Sequence, residues 1–272
     1  IAPSGQGFED YDADMDAVGQ LLFAECTKHA GCSARLGADP FATATAVVQS
    51  FDAGHCPGLG SSSGDVRAFL GALLFYEPVR NYLPAVVYRL QRCNAADVQA
   101  IFKLSSVFGS LTASPGGGEL NDGLGDSRPL FFHVSLSDLW GLKPTPTPEQ
   151  AQASWETLTV STGLGIDLAK RAATWPTYPS DGLTKTLPSY TGPLLMIQGG
   201  LDGPTPLVDA QILETTYTAA HQTFVEVPLG AHNVVGGSPT LDGGDCGLDV
   251  YMQFLADPTA VIDASCTTEL AP

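Results

Sequence analysis

Two patterns of apolar residues divide the chain into a long helical part and a shorter part that contains strands. Between Tyr11 and Phe108 apolar positions recur three and four residues apart, and no stretch alternates as a half-buried strand does. The spacing predicts five successive helices, which cover residues 11–27, 39–51, 65–77, 82–92 and 95–108. Pro78 is expected to end the third helix. Five helices without a strand between them are typical of a helical cap and not of a doubly wound sheet.

A second pattern begins near Leu194, where short apolar runs are separated by a helical spacing. Leu194–Ile197 and Thr223–Val227 are predicted as strands, with helices at 207–220 and 249–256. The order strand, helix, strand indicates two parallel strands at the end of an α/β sheet. Leu194–Ile197 is apolar at every position, which is typical of a strand buried on both faces. Because two strands do not make a stable open sheet, further strands are expected beside them.

The segment that joins these two parts is less regular. Residues 109–126 are rich in Gly and Ser, and a flexible loop or a cleavage site is expected there. Leu130–Leu136 is apolar enough for either a strand or the start of a helix. Helices are predicted at 149–158, capped by Thr147, and at 165–173.

The composition predicts a folded protein with an acidic surface. Hydrophobic residues make up 44% of the 272 positions, so the chain can bury a core. Twelve Lys and Arg oppose 29 Asp and Glu, which gives a formal net charge of −17. Nucleic acids and anionic membrane surfaces require basic patches, so neither is expected as a partner. No apolar run approaches the length of about 20 residues that a membrane-spanning helix needs.

The six cysteines favour disulfide bonds and therefore an oxidising compartment. No two of them are spaced as C-x-x-C, and no histidine lies near them at the spacing of metal ligands. Neither a metal nor another cofactor is therefore expected. An even number of cysteines in an acidic chain rich in Gly and Pro is typical of secreted, disulfide-bonded proteins. Buried free thiols are the alternative.

Two residues with catalytic chemistry follow the two predicted strands. Asp202 comes directly after the first strand, in a turn in which Gly199, Gly200 and Gly203 are expected to let the backbone reverse. His232 follows the second strand, 30 positions later (232 − 202). In open α/β sheets, chemistry gathers where parallel strands end. An Asp followed by a His matches the last two members of the Ser-Asp-His order of an α/β-hydrolase triad.

The chemistry of these residue types supports that interpretation. A serine hydroxyl is a poor nucleophile until a base takes its proton, and an imidazole suits that task near neutral pH. A carboxylate would hold the imidazole of His232 in the required tautomer, and Asp202 is predicted to do so. The alternative is a turn aspartate and an unrelated surface histidine.

The sequence around these residues resembles one hydrolase family. Residues 198–206 (QGGLDGPTP) and 230–232 (GAH) are similar to the C-terminal part of the α/β-hydrolases related to tripeptidyl and prolyl aminopeptidases, and residues 8–19, 26–40 and 246–266 also resemble them. The resemblance is weak between 58 and 175. It implies serine-type hydrolysis at peptide N-termini, with Asp202 and His232 as catalytic residues. With local spacing, it also favours disulfides Cys26–Cys32 and Cys246–Cys266, which leaves Cys56 with Cys93.

The resemblance also implies a domain organisation and a partner. Residues 1–20 correspond to a sheet exit and the first cap helix, 21–180 to a helical cap or lid, and 181–272 to the C-terminal α/β-hydrolase core that carries Asp and His. The nucleophile elbow of the family precedes the region that matches 8–19. The serine is therefore expected on a separate N-terminal chain of the same precursor, cut before Ile1. The expected substrate is a peptide or a small amide or ester, and Glu77, Glu119 or Asp138 are candidates for binding its amine.

A second candidate nucleophile lies in Gly60–Gly64, which fits G-x-S-x-G with Ser62 at its centre. That motif requires a buried strand before the serine and a helix after it. A helix is predicted after it, but Phe51–Gly58 is polar, rich in Gly and interrupted by Pro57. A helix cap by Ser63 or Asp65 explains the same residues. Two further hypotheses remain: a self-contained esterase or lipase-like hydrolase that uses Ser62, and a non-catalytic binding protein with the α/β-hydrolase fold.

Overall fold

The computed structural model describes residues 7–112, 127–179 and 186–271, which are mostly helical and contain one small sheet. In chain order the elements are α1 (Tyr11–Thr27), α2 (Ala30–Leu36), α3 (Pro40–Ser50), α4 (Ser63–Phe75), α5 (Glu77–Arg80), α6 (Leu83–Arg92), α7 (Ala95–Thr112), α8 (Arg128–Val134), α9 (Pro148–Glu156), α10 (Leu164–Ala172), β1 (Leu194–Gly199), α11 (Leu207–Thr216), β2 (Gln222–Val227) and α12 (Cys246–Ala256). The five helices predicted before residue 109 are all present, and α1 has the predicted bounds.

The structure corrects the sequence prediction at the end of α4, adds one helix and decides between the two alternatives for segment 130–136. Pro78 does not end α4, which stops at Phe75; instead the proline lies in the first turn of the short helix α5. A proline is tolerated there because the first N–H groups of a helix have no partner in the helix. Helix α2 was not predicted, and the ambiguous segment 130–136 is helical, as α8 followed by a π-helical turn at Ser135–Leu139.

The main hydrophobic core lies among the helices. Met15 and Phe23 of α1 are fully buried against Leu70 and Leu74 of α4 and Val87 of α6. Each such side chain contributes roughly 1.5–3 kcal/mol by leaving water. A separate small cluster of Val225, Val227 and Val250 joins β2 to α12.

Two carboxylates of α1 hold a later segment of chain across the helical layer. Asp16 accepts the backbone N–H groups of Thr159 and Val160 at 2.7 and 2.8 Å. Asp12 accepts those of Gly163 and Gly165 at 2.9 and 2.8 Å. Burial raises the pKa of both carboxyl groups, and these donors oppose the shift. The segment 159–163 is thereby fixed against α1.

Glycines make room for that segment. A Cβ atom on Gly71 of α4 would lie 2.5 Å from the backbone of Ser161, and one on Gly19 of α1 would lie 2.8 Å from Val160. The segment therefore runs in a channel between α1 and α4 whose walls have no side chain at these two positions.

The sheet consists of two parallel strands. β1 pairs with β2 from Leu194 opposite Gln222 to Gly199 opposite Val227, so both strands end at the same edge. The expectation that Leu194–Ile197 is buried on both faces is not met by the described residues, because all four side chains are only half-buried. The described chain supplies one neighbouring strand and leaves the other edge of β1 without a strand partner.

Three disulfide bonds pair all six cysteines, as Cys26–Cys32, Cys56–Cys93 and Cys246–Cys266. The predicted framework is confirmed, and the alternative of free thiols is wrong. Such a framework is typical of proteins in oxidising compartments. Among the described helices, none combines the length and the apolar character that crossing a bilayer requires.

Candidate active site

The parallel strands bring Asp202 and His232 together. Each residue lies in the loop that follows one strand, and both loops leave the same edge of the sheet. The Nδ1 atom of His232 lies 3.0 Å from one carboxylate oxygen of Asp202 and 3.2 Å from the other. The Asp202 side chain is 7% exposed and that of His232 is 26% exposed. The hydrogen bond expected from the sequence is present, and the imidazole can still be reached from outside.

Thr205 fixes the carboxylate of Asp202. Its backbone N–H donates to Oδ1 at 2.9 Å and its hydroxyl donates to Oδ2 at 2.8 Å. The Gln198 amide lies 3.4 Å from Oδ2. An ionised carboxylate only accepts hydrogen bonds, so Nδ1 of His232 carries the proton and Nε2 is left as the acceptor. Sequence analysis gave Thr205 no role, although a hydroxyl residue three positions after an Asp is a common way to close such a turn.

The two loops approach each other closely because they contain glycine. A Cβ atom on Gly199 would lie 2.5 Å from the carbonyl oxygen of Gly230, and one on Gly200 would lie 2.4 Å from that of Pro228. Neither glycine, nor Gly203, has a positive φ. The chain turns here as predicted, but it does so without a left-handed conformation at these glycines. Contact between the loops is what requires glycine at 199 and 200, whereas Gly203 lies against the helical core.

Arg80, the last residue of α5, connects the helices to the loop that carries His232. Its side chain is 1% exposed, and its Nη2 donates to the carbonyl oxygen of Leu229, three residues before His232. Nε and Nη1 are buried and have no hydrogen-bond partner among the described residues. Burial lowers the pKa of this guanidinium, while the charges of Glu77 and Asp202 raise it. Sequence analysis missed Arg80, since its partner lies 149 positions away.

His232 lines a pocket with a volume of about 920 Å³. The Phe75 ring of α4 lies against the imidazole, with 4.9 Å between ring centroids. Thr205 and Pro204 border the pocket on the side of the sheet, and Phe and Tyr residues from the helices and the segment before α1 make up half of the remaining lining residues. The pocket therefore lies between the helices and the loops that carry Asp202 and His232.

Ser62 does not belong to this site. It is the N-cap of α4, with its hydroxyl 3.2 Å from the Asp65 backbone nitrogen and its own backbone N–H donating to the Asp65 carboxylate at 2.8 Å. This reciprocal cap lowers the pKa of Asp65. A helix cap is present, as predicted, but the N-cap residue is Ser62, and Asp65 is its partner in the first turn. Ser62 lines a different pocket, which does not include His232.

Among the other candidate residues, those that the structure describes do not line the pocket of His232. Asp138 accepts a hydrogen bond from the Tyr178 hydroxyl, and neither Asp138 nor Glu77 lines the pocket. Glu119 lies outside the described residues. Within the described ranges no three His, Cys, Asp or Glu side chains are arranged to hold a metal ion.

Comparison with protein-family models, with curated proteins and with solved structures finds no match to this chain.

Proposed function

We propose that this chain carries the acidic residue and the base of a serine hydrolase of the α/β-hydrolase fold. In this proposal β1, α11 and β2 are the end of the hydrolase sheet, and α1 to α10 form its cap. The observation that carries the proposal is the 3.0 Å contact between Asp202 and His232 Nδ1, at adjacent ends of two parallel strands and beside a pocket. Acid and base are the triad members that the fold places at these two loops.

The geometry suits His232 as general base. With its proton held on Nδ1 by Asp202, Nε2 would take the proton of a serine hydroxyl as that oxygen attacks the substrate carbonyl. The new bond makes a tetrahedral oxyanion, and Nε2 then returns the proton to the leaving amine or alcohol. Water repeats the sequence on the acyl-serine and releases the acid. Asp202 would stabilise the imidazolium formed in each half of the reaction.

The nucleophile is proposed to come from an N-terminal chain of the same precursor. Within the described ranges no serine hydroxyl lies at hydrogen-bond distance from His232 Nε2, and Ser62 is engaged in a helix cap. The half-buried strand β1, whose second edge has no strand partner in the described chain, is a surface that further strands would cover. The resemblance to tripeptidyl and prolyl aminopeptidases leads us to propose a secreted, proteolytically processed exopeptidase.

The test uses the native protein from its source. A fluorophosphonate probe reacts with an activated serine, and intact mass spectrometry then shows which polypeptide carries the label. We expect the label on an accompanying chain, its loss in His232→Ala, and full labelling in Ser62→Ala. Label on Ser62 would establish the self-contained esterase, and the absence of any label on an assembled complex would favour the non-catalytic binding protein.

A further inference from the structure

Aromatic rings form a large part of the wall of the pocket beside His232. Eight of its lining residues are Phe or Tyr, out of 12 Phe and 8 Tyr in the chain. They come from four separate parts of the helical layer: the residues at the start of α1, then α4, α7 and α8. Aromatic rings from distant parts of the sequence therefore line one pocket, and the imidazole of His232 lies at its wall.

Three polar or charged side chains of the pocket already contact neighbouring groups. Asp167, the one carboxylate among the described lining residues, lies 3.1 Å from Nε of Arg171. The Arg128 guanidinium lies over the Phe132 ring at 5.9 Å. Tyr11 is buried, which raises its pKa, and its hydroxyl is hydrogen-bonded to Thr162. A cationic ligand would find no unpaired carboxylate among these lining residues, whereas an apolar ligand would find aromatic surface.

We infer that the pocket binds a bulky apolar side chain of the substrate, of about the size of a phenyl ring or larger, next to the scissile bond. This inference rests on the proposed function, because it takes His232 as the catalytic base. Phe75 contacts the imidazole directly, so a group stacked in the pocket lies within reach of His232. The volume of about 920 Å³ accommodates more than one side chain of this size.

Binding can be measured on the chain without catalysis. The probes are N-acetyl-phenylalanine amide and N-acetyl-alanine amide, which are uncharged and differ only by the ring. We expect the phenylalanine probe to bind at least about tenfold more tightly and to shift the ring resonances of His232 in a saturable way. Equal affinities, or binding without a change at His232, would overturn the inference.

Two exposed phenylalanines provide a matched pair of variants. Phe131 lines the pocket and is 41% exposed, whereas Phe102 on α7 is 53% exposed and does not line it. Neither replacement opens the core, so both variants should fold. We expect Phe131→Ala to weaken binding of the phenylalanine probe about threefold or more and Phe102→Ala to leave it unchanged. An equal effect of the two replacements would contradict a specific pocket.

This test separates the pocket from the proposed function. If the probe binds as expected but the assembled protein carries no fluorophosphonate label, the pocket stands and the hydrolase proposal fails. If the assembled protein hydrolyses alanine and phenylalanine amides or esters equally well, the hydrolase proposal stands and the pocket inference fails.

Discussion

Gly200 lies against the backbone of Pro228, so close that a Cβ atom at position 200 would stand 2.4 Å from the Pro228 carbonyl oxygen. We expect Gly200→Ala to push the two loops apart, with a loss of about 1–3 kcal/mol in the free energy of unfolding. The same displacement should break the hydrogen bond between Asp202 and His232. Chemical denaturation measures the first effect, and the nitrogen chemical shifts of the His232 ring report the second.

Gly109→Ala is the control for this substitution. Position 109 lies in α7, where an added Cβ meets nothing within 4 Å, so alanine should stabilise the helix by roughly 0.5–1 kcal/mol. If Gly200→Ala were as stable as Gly109→Ala, contact between the loops would not be what requires glycine at position 200.

Asp202→Asn should change the tautomer of His232 and leave the fold intact. The Thr205 backbone N–H will retain the amide oxygen in the Oδ1 position, so the amide nitrogen will take the Oδ2 position, 3.2 Å from Nδ1, and donate to Nδ1 from there. The ring proton then moves to Nε2, which can no longer accept a proton. We expect the nitrogen spectrum of the ring to show this exchange, and turnover of the assembled enzyme to fall by about 10⁴. An unchanged tautomer would argue against the proposed role of Asp202.

Asp14 should make stability fall as the pH rises. Burial, followed by the nearby Asp209 and Asp10, raises its pKa from 3.8 to about 6, although Lys143 opposes the shift. Between these values the folded state holds a proton that the unfolded state has lost, so stability decreases through this window. We therefore expect Asp14→Asn to gain in melting temperature over the wild type above about pH 6 and to show little difference below 3.8.

Asp242→Asn provides a control of opposite sign. Hydrogen bonds from the Thr240 hydroxyl and the Gly244 backbone lower the pKa of this exposed carboxyl group, so its ionised form favours the folded state. Its replacement should lower the melting temperature, and this loss should diminish as the pH falls below 3.8. Parallel pH profiles for the two variants would refute the assignment for Asp14.

The disulfide that closes the longer loop should stabilise the chain more. Cys56 and Cys93 are 37 positions apart, whereas Cys26 and Cys32 are 6 apart. Loop entropy of the unfolded chain then predicts that replacing the first pair by serine costs about 1.5 kcal/mol more than replacing the second. The comparison is balanced, because each pair has one buried and one half-buried cysteine. Equal losses in denaturant unfolding would show that strain or solvation outweighs loop entropy.

Local patterns were sufficient to predict most helices and both strands. The apolar spacing defined α1, and the cap residue Thr147 defined the start of α9, where it forms a reciprocal cap with Gln150. Pro78 misled the prediction because a proline restricts the residues before it wherever it lies. Only the extended backbone of Tyr76 shows that α4 has already ended and that the proline belongs to a new helix.

The sequence predicted those site residues that have a catalytic side chain and also lie in the loop that follows a strand. Asp202 and His232 have the residue types of a triad, and each follows a strand. Thr205 required the geometry of its turn, and Arg80 and Phe75 required the packing of α4 and α5 on the histidine loop. Contacts of that kind join residues far apart in sequence, and no local pattern specifies them.

The carboxylates of α1 receive their hydrogen-bond donors from residues 143 to 153 positions later. The ribosome therefore synthesises α1 and α4 long before segment 159–163, which lies between these two helices in the folded chain. Loop-closure entropy grows only with the logarithm of loop length, so this separation costs little final stability but places the closure late in folding. A nascent chain arrested before residue 159 should expose the channel between Gly19 and Gly71 to chaperones, and one arrested well after residue 165 should have it filled.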